Sequence, residues 1–119
     1  MVIDCPDPAR LALFYSELLG LAVTYRSDDW VVISEDDHTS GFAFQSAPDH
    51  RPPDWPDPRR PQQMHIDVMV DDVDRAAQQV LELGATPLLE GDHVFADPAG
   101  HPFCLIPRPG GARPIGSSG

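Results

Sequence analysis

The chain has 119 residues, enough for one domain with a real core. Its formal net charge is −11, from 19 acidic residues against 8 basic ones, and every basic residue is arginine. With no lysine there is no Schiff base and no lysine general base, and so acidic a chain has nothing to neutralise a run of phosphates or to seek an anionic membrane; the charge reads most simply as solubility.

No run approaches the roughly 18 apolar residues of a spanning helix, and no basic-then-apolar leader opens the chain. Two cysteines, Cys5 and Cys104, make no disulfide framework, so reduced thiols and a cytoplasmic location are expected. Met1-Val2-Ile3 already reads as strand interior, which suggests a native start further upstream.

Met1 to Cys5 is a short apolar strand. Asp7-Pro8 follows, a helix N-cap type and then a proline suited to the first helical position. Leu11, Phe14, Tyr15 and Leu18 form one stripe of an amphipathic helix, and Gly20 ends it as a C′ glycine. Ala22 to Arg26 and Trp30 to Ser34 read as strands around a Ser27-Asp28-Asp29 turn. Gly41 to Ser46 alternates, with Phe42 and Phe44 on one side and Ala43 and Gln45 on the other.

Residues 47–63 differ in kind. Pro48, Pro52, Pro53, Pro56, Pro58 and Pro61 rule out helix interior and central strand. The stretch is an extended connection, either a plain surface tether or a flap over a cavity anchored by Trp55. Met64 to Val70 is then a strand, and Asp72 caps a helix with the stripe Val73, Ala76, Ala77 and Val80 that Gly84 ends. Thr86 to Leu89 and His93 to Ala96 are strands around Glu90-Gly91-Asp92. Asp97-Pro98-Ala99-Gly100 is a tight turn, and Pro102 to Ile106 is the last strand. The tail, residues 109–119, reads as flexible.

The two halves repeat. Asp7, Arg10, Glu17 and Leu18 match Asp72, Arg75, Glu82 and Leu83, and FQSAP matches FCLIP, so that Gln45 corresponds to Cys104. The organisation is α+β: tandem βαβββ modules, residues 1–46 and 64–108, in a single domain over 1–108. They form a curved mixed sheet around a cavity, with the helices on the outer face.

Alternation assigns faces. Ile66, Val68 and Val70 meet their helix, which turns His65, Asp67 and Met69 the other way. By the repeat, Ile3 and Cys5 meet the first helix while Val2 and Asp4 point away. Phe44, Phe103 and Leu105 go to the helix side, leaving Gln45, Cys104 and Ile106 opposite. A mostly apolar face with a few convergent polar groups suits a ligand cavity; the alternative is that Asp4 and Asp67 only cap loops or bind backbone amides. Trp30 joins this face if it lies opposite Val31 and Ile33. His101 suits a turn or cap role, His93 faces solvent, and His38 and His50 carry no assignment.

The segments DPARLALFYSELLG, HIDVMVDDVDRAAQQVLELGA and DPAGHPFCLI together resemble the vicinal oxygen chelate superfamily, which takes in glyoxalases, bleomycin resistance proteins and extradiol dioxygenases. The insert with DWPDP followed by PQQMHID is most similar to its glyoxalase-like domain branch. The resemblance covers nearly all of residues 1–107 and implies a concave site with metal ligands on the first and last strands of each module. His65 falls on one such position with a proper ligand type. Gln45 falls on another. Cys104 stands where a glutamate is usual, and the fourth position precedes Met1.

The resemblance implies a small-molecule-binding protein, with a lyase or isomerase activity in which His65 is the catalytic base next to a carbonyl. Asp4, Gln45, Asp67, Met69, Trp30, Trp55 and Cys104 would then contact substrate. A divalent metal on His65, Gln45 and Cys104 and a homodimer are compatible with it. The depleted ligand set argues against glyoxalase I itself. The competing expectation is a bleomycin-resistance-type binder without turnover, whose aromatic, partly acidic groove takes a cationic drug or metabolite.

Overall fold

In the computed structural model, residues 1–53, 59, 64–88 and 93–108 are described. The order is β1 (Val2–Cys5), α1 (Pro8–Leu19), β2 (Ala22–Arg26), β3 (Trp30–Ser34), β4 (Phe42–Ser46), β5 (Ile66–Val70), α2 (Val73–Glu82), β6 (Thr86–Pro87), β7 (Val94–Ala96) and β8 (Pro102–Pro107). Each half is therefore a βαβββ unit. The strands make two four-stranded mixed sheets, ordered β1-β4-β3-β2 and β5-β8-β7-β6. In each, the first and last strands pair in parallel and the rest antiparallel.

The local chemistry explains the helix limits. Asp7 and Asp72 are both extended N-caps whose carboxylates accept from the backbone N–H three residues on, at Arg10 and Arg75. Gly20 takes the left-handed conformation at φ 70° and lets α1 turn sharply into β2. Gly41 is required for a different reason. A Cβ there would lie 2.0 Å from the carbonyl oxygen of Ile33, so the chain enters β4 only as bare backbone.

The predicted faces hold for most positions. Ile3, Cys5, Val68, Phe44, Phe103 and Leu105 lie in or against the core, while Val2, Asp4, Gln45, Asp67 and Met69 are exposed; Cys104 and Ile106 are half-buried, and Ala43, expected on the open side with Gln45, is buried. Trp30 registers opposite Gln45 and beside buried Val31, on the side away from α1. Trp55, the tail 109–119 and most of the proline-rich connection lie outside the described residues.

Side chains of α1 join the halves. Tyr15 stacks on Phe44 at a centroid distance of 5.7 Å and meets Phe14 edge-on at 5.0 Å. Phe14 in turn meets Phe103, which stacks on Phe95. One aromatic core thus runs from the first sheet through α1 into the second.

Candidate functional site

Buried tyrosines need a hydrogen-bond partner. The Tyr15 hydroxyl, inside the aromatic core, donates to Asp97 Oδ2 at 2.6 Å. The Asp97 side chain is wholly buried, and burying a carboxylate is costly unless it is paired. Its Oδ1 accepts from the backbone N–H groups of Ala99 and His101, and its Oδ2 from His101 Nδ1 at 2.9 Å. The other ring nitrogen, His101 Nε2, donates to the carbonyl oxygen of Asp4 at 2.8 Å. Tyr15 on α1, Asp97 and His101 in the β7–β8 turn, and Asp4 on β1 are therefore one network between the halves.

That network sets the charge of His101. A carbonyl oxygen only accepts, so Nε2 carries a proton, and an ionised carboxylate opposite Nδ1 requires a second one there. Burial alone lowers the imidazole pKa; the hydrogen bond and charge of Asp97, with help from Asp4, outweigh it, and the net shift is upward. Burial and the Asp97 charge push the Tyr15 hydroxyl up, keeping it protonated.

A cavity of about 590 Å³ opens beside this network. Among the described residues β1 and β5 each pair on one side only, and the cavity is lined from both. Val2, Ile3, Asp4 and Ile66 line it from the two strands, His65 from just before β5, and Tyr15, His50, Arg51 and His101 from α1 and the loops. Of the residues expected in a cavity, Asp4 and His65 are on its wall. Gln45 and Trp30 share the exposed face of the first sheet, while Asp67, Met69 and Cys104 stand beside His65 on the second; none of these is among the lining residues. The opening therefore sits at the junction of the halves rather than across the concave faces.

A second grouping lies just outside it. His65 Nε2 is 3.1 Å from Asp67 Oδ1, and Asp67 registers opposite Cys104 on the neighbouring strand. A ring nitrogen of His65, a carboxylate oxygen of Asp67 and the Cys104 sulfur fall within 4.8 Å of one another. Burial, then the Asp67 carboxylate, raises the Cys104 thiol pKa. Asp67, one strand over from Cys104, brings a carboxylate beside the thiol that stands where a glutamate is usual. Imidazole, carboxylate and thiol together fit a zinc-class cation better than a hard one. Gln45 lies on the other sheet, registered against Asp4 and Trp30.

Sequence reasoning missed the importance of three residues. Asp97 was a turn residue by composition, yet it is the buried centre of the network. His50 had no assignment; its Nε2 donates to the carbonyl of Ala99 at 3.0 Å and its ring lies 4.8 Å from that of His101. Tyr15 read as one more stripe residue. An aspartate in a turn and a tyrosine in a helix carry no pattern that pairs them, so only the fold brings them together. His93 sits at φ 67°, 3.7 Å from Asp74.

The model of the glyoxalase-like domain family matches residues 1–106. The chain belongs to that family, within the vicinal oxygen chelate superfamily. Solved structures agree with the fold of this glyoxalase-like domain. A glyoxalase/bleomycin resistance protein/dioxygenase family enzyme from Burkholderia phytofirmans superposes with a TM-score of 0.65 at 16% identity, covering 90% of this chain and 94% of that one. A glyoxalase-related enzyme from Fulvimarina pelagi gives 0.63 at 20%, covering 100% and 91%. A bleomycin-binding protein complexed with bleomycin gives 0.56 at 19%, covering 90% and 94%. No curated protein matches the sequence.

Proposed function

We propose that this glyoxalase-like domain binds a small molecule in the cavity lined from β1 and β5, with His65 as its reactive polar group. The observation that carries this reading is the cavity itself, with one wall ending at the His65–Asp67 pair. Asp67 beside Nε2 orients the ring, and an imidazole so held is the type of group that takes a proton next to a carbonyl. The chemistry is then that of a lyase or isomerase, carried out in the cytoplasm.

The His65, Asp67 and Cys104 grouping supports a second reading of the same residues, in which they hold a divalent cation. Such a cation, when bound, polarises a substrate oxygen. The likeness to a bleomycin-binding protein supports a third, sequestration without turnover. The first and third readings put the ligand in this cavity, and the second puts a cation on its rim beside His65.

The test uses untagged protein. Thermal stabilisation by a ligand panel is expected to disappear in Val2→Trp, which fills the cavity from an exposed position. Cobalt titration is expected to give a thiolate charge-transfer band that Cys104→Ser removes. Persistence of ligand binding in Val2→Trp overturns the cavity reading. No cobalt band in the wild type overturns the metal reading.

A further inference from the structure

Among the described residues the cavity wall is richer in basic than in acidic side chains, the reverse of the chain as a whole. Of 19 acidic residues only Asp4 is among the described lining residues. Of 8 arginines and 5 histidines, Arg51, Arg59, His50, His65 and His101 are all there. A cleft lined mainly by one sign of charge, with apolar walls, concentrates its field on the ligand, and net charge elsewhere is screened within about one Debye length, roughly 8 Å at physiological salt.

Two of these groups carry the argument. His101 is held as an imidazolium by two acceptors, the Asp4 carbonyl and Asp97. Its counter-charge sits behind it, because the Asp97 side chain is wholly buried and is not among the lining residues. The wall therefore meets the positive end of that ion pair. Arg51 is exposed and, among the described residues, has no carboxylate partner, so its guanidinium fork is available to bind a planar or tetrahedral anion in two places. Around them the wall is apolar, with Val2 and Ile3 on one side and Met64, Ile66 and Pro102 on the other. A volume of about 590 Å³ is that of a metabolite-sized ligand.

We propose that the cavity selects an amphipathic organic anion, a carboxylate or phosphate head on an apolar body, with Arg51 binding the head and His101 supplying a fixed positive field. This rests on the cavity reading above and replaces the cationic ligand expected from the acidic composition.

The experiment uses three probes with one naphthalene body: 1-naphthoate, 1-naphthyl phosphate and 1-naphthylmethylammonium, titrated calorimetrically into the full chain. At least one anion is expected to bind about tenfold or more tighter than the ammonium, and Arg51→Ala is expected to weaken that anion about tenfold, the size of one lost charge-assisted hydrogen bond. The stronger of the two anions identifies the head group. Equal or tighter binding of the ammonium overturns the inference, as does an Arg51→Ala variant with unchanged anion affinity. If ammonium binding is lost in Val2→Trp, the cavity reading stands and only the anion inference falls. If no probe binds, both fall.

Discussion

Tyr15→Phe removes one oxygen from a position whose consequences can be followed atom by atom. The hydroxyl donates at 2.6 Å to an oxygen of Asp97, a carboxylate with no solvent exposure. Hydrogen bonds to charged groups contribute about 1.5–3 kcal/mol each, so the variant is expected to lose about 2 kcal/mol. At roughly 4 °C per kcal/mol for a domain of this size, the melting temperature falls by about 8 °C. Asp97→Ala is more severe, because it leaves the Tyr15 hydroxyl, the His101 imidazolium and two backbone N–H groups without their acceptor. Removing one partner of a buried pair costs about 3–5 kcal/mol, a large fraction of the 5–15 kcal/mol that holds a domain together.

The decisive quantity is their coupling. Once Asp97 is gone, Tyr15→Phe has nothing left to break, so its cost in the Asp97→Ala background should fall close to zero. Urea unfolding followed by tryptophan fluorescence on the four proteins of the cycle measures this directly. A Tyr15→Phe cost below about 0.5 kcal/mol, or costs that simply add, refutes the network as a structural link.

The same network gives a pH dependence. His101 has a folded pKa above its ordinary value near 6.5 and faces Asp97, Asp4, Tyr15 and His50. A raised imidazole pKa contributes stability that is complete below the unfolded value and is lost as pH rises through the folded one. Urea midpoints should therefore fall from pH 6 to pH 8, and His101→Gln should flatten that slope; a midpoint that rises over this range refutes the assignment. Two glycines separate crowding from conformation. Gly41→Ala puts a methyl 2.0 Å from a backbone oxygen and is expected to cost about 3 kcal/mol or more. Gly20→Ala meets nothing within 4 Å and pays only for φ 70°, about 1–2 kcal/mol; equal melting points for the two variants contradict this ranking.

The parts of the molecule that were legible in the sequence are those with a local physical period. The stripe of Leu11, Phe14 and Tyr15, the aspartate caps and Gly20 each act within a turn or two of chain, and β2 and β3 fall at the expected residues. Alternation likewise placed His65, Asp67 and Cys104 on one side of their sheet, where they meet. Five strands, β1, β4, β5, β6 and β7, came out shorter than their patterns suggest. β4 starts at Phe42, one residue after Gly41, and β5 starts at Ile66 although the apolar pattern begins at Met64. The junction was not legible at all. Tyr15 and Asp97 stand 82 residues apart, and His50 and Ala99 are 49 apart. Contacts of that range depend on how two finished units dock, which no single-strand period reports.

The division of hydrogen bonds has a mechanical consequence. Among the described residues, every strand ladder and every backbone–backbone bond closes within one βαβββ unit; what crosses between units is aromatic packing and the side-chain bonds around Asp97 and Ala99. Separating the units therefore breaks no rung of either sheet. Hydrogen exchange would sort the chain into two protected blocks whose amides open only with their own sheet, while the seam between them opens at lower free energy. Since the seam is also the wall of the cavity, a ligand bound there would touch both blocks and is expected to raise the protection of the seam before that of either sheet.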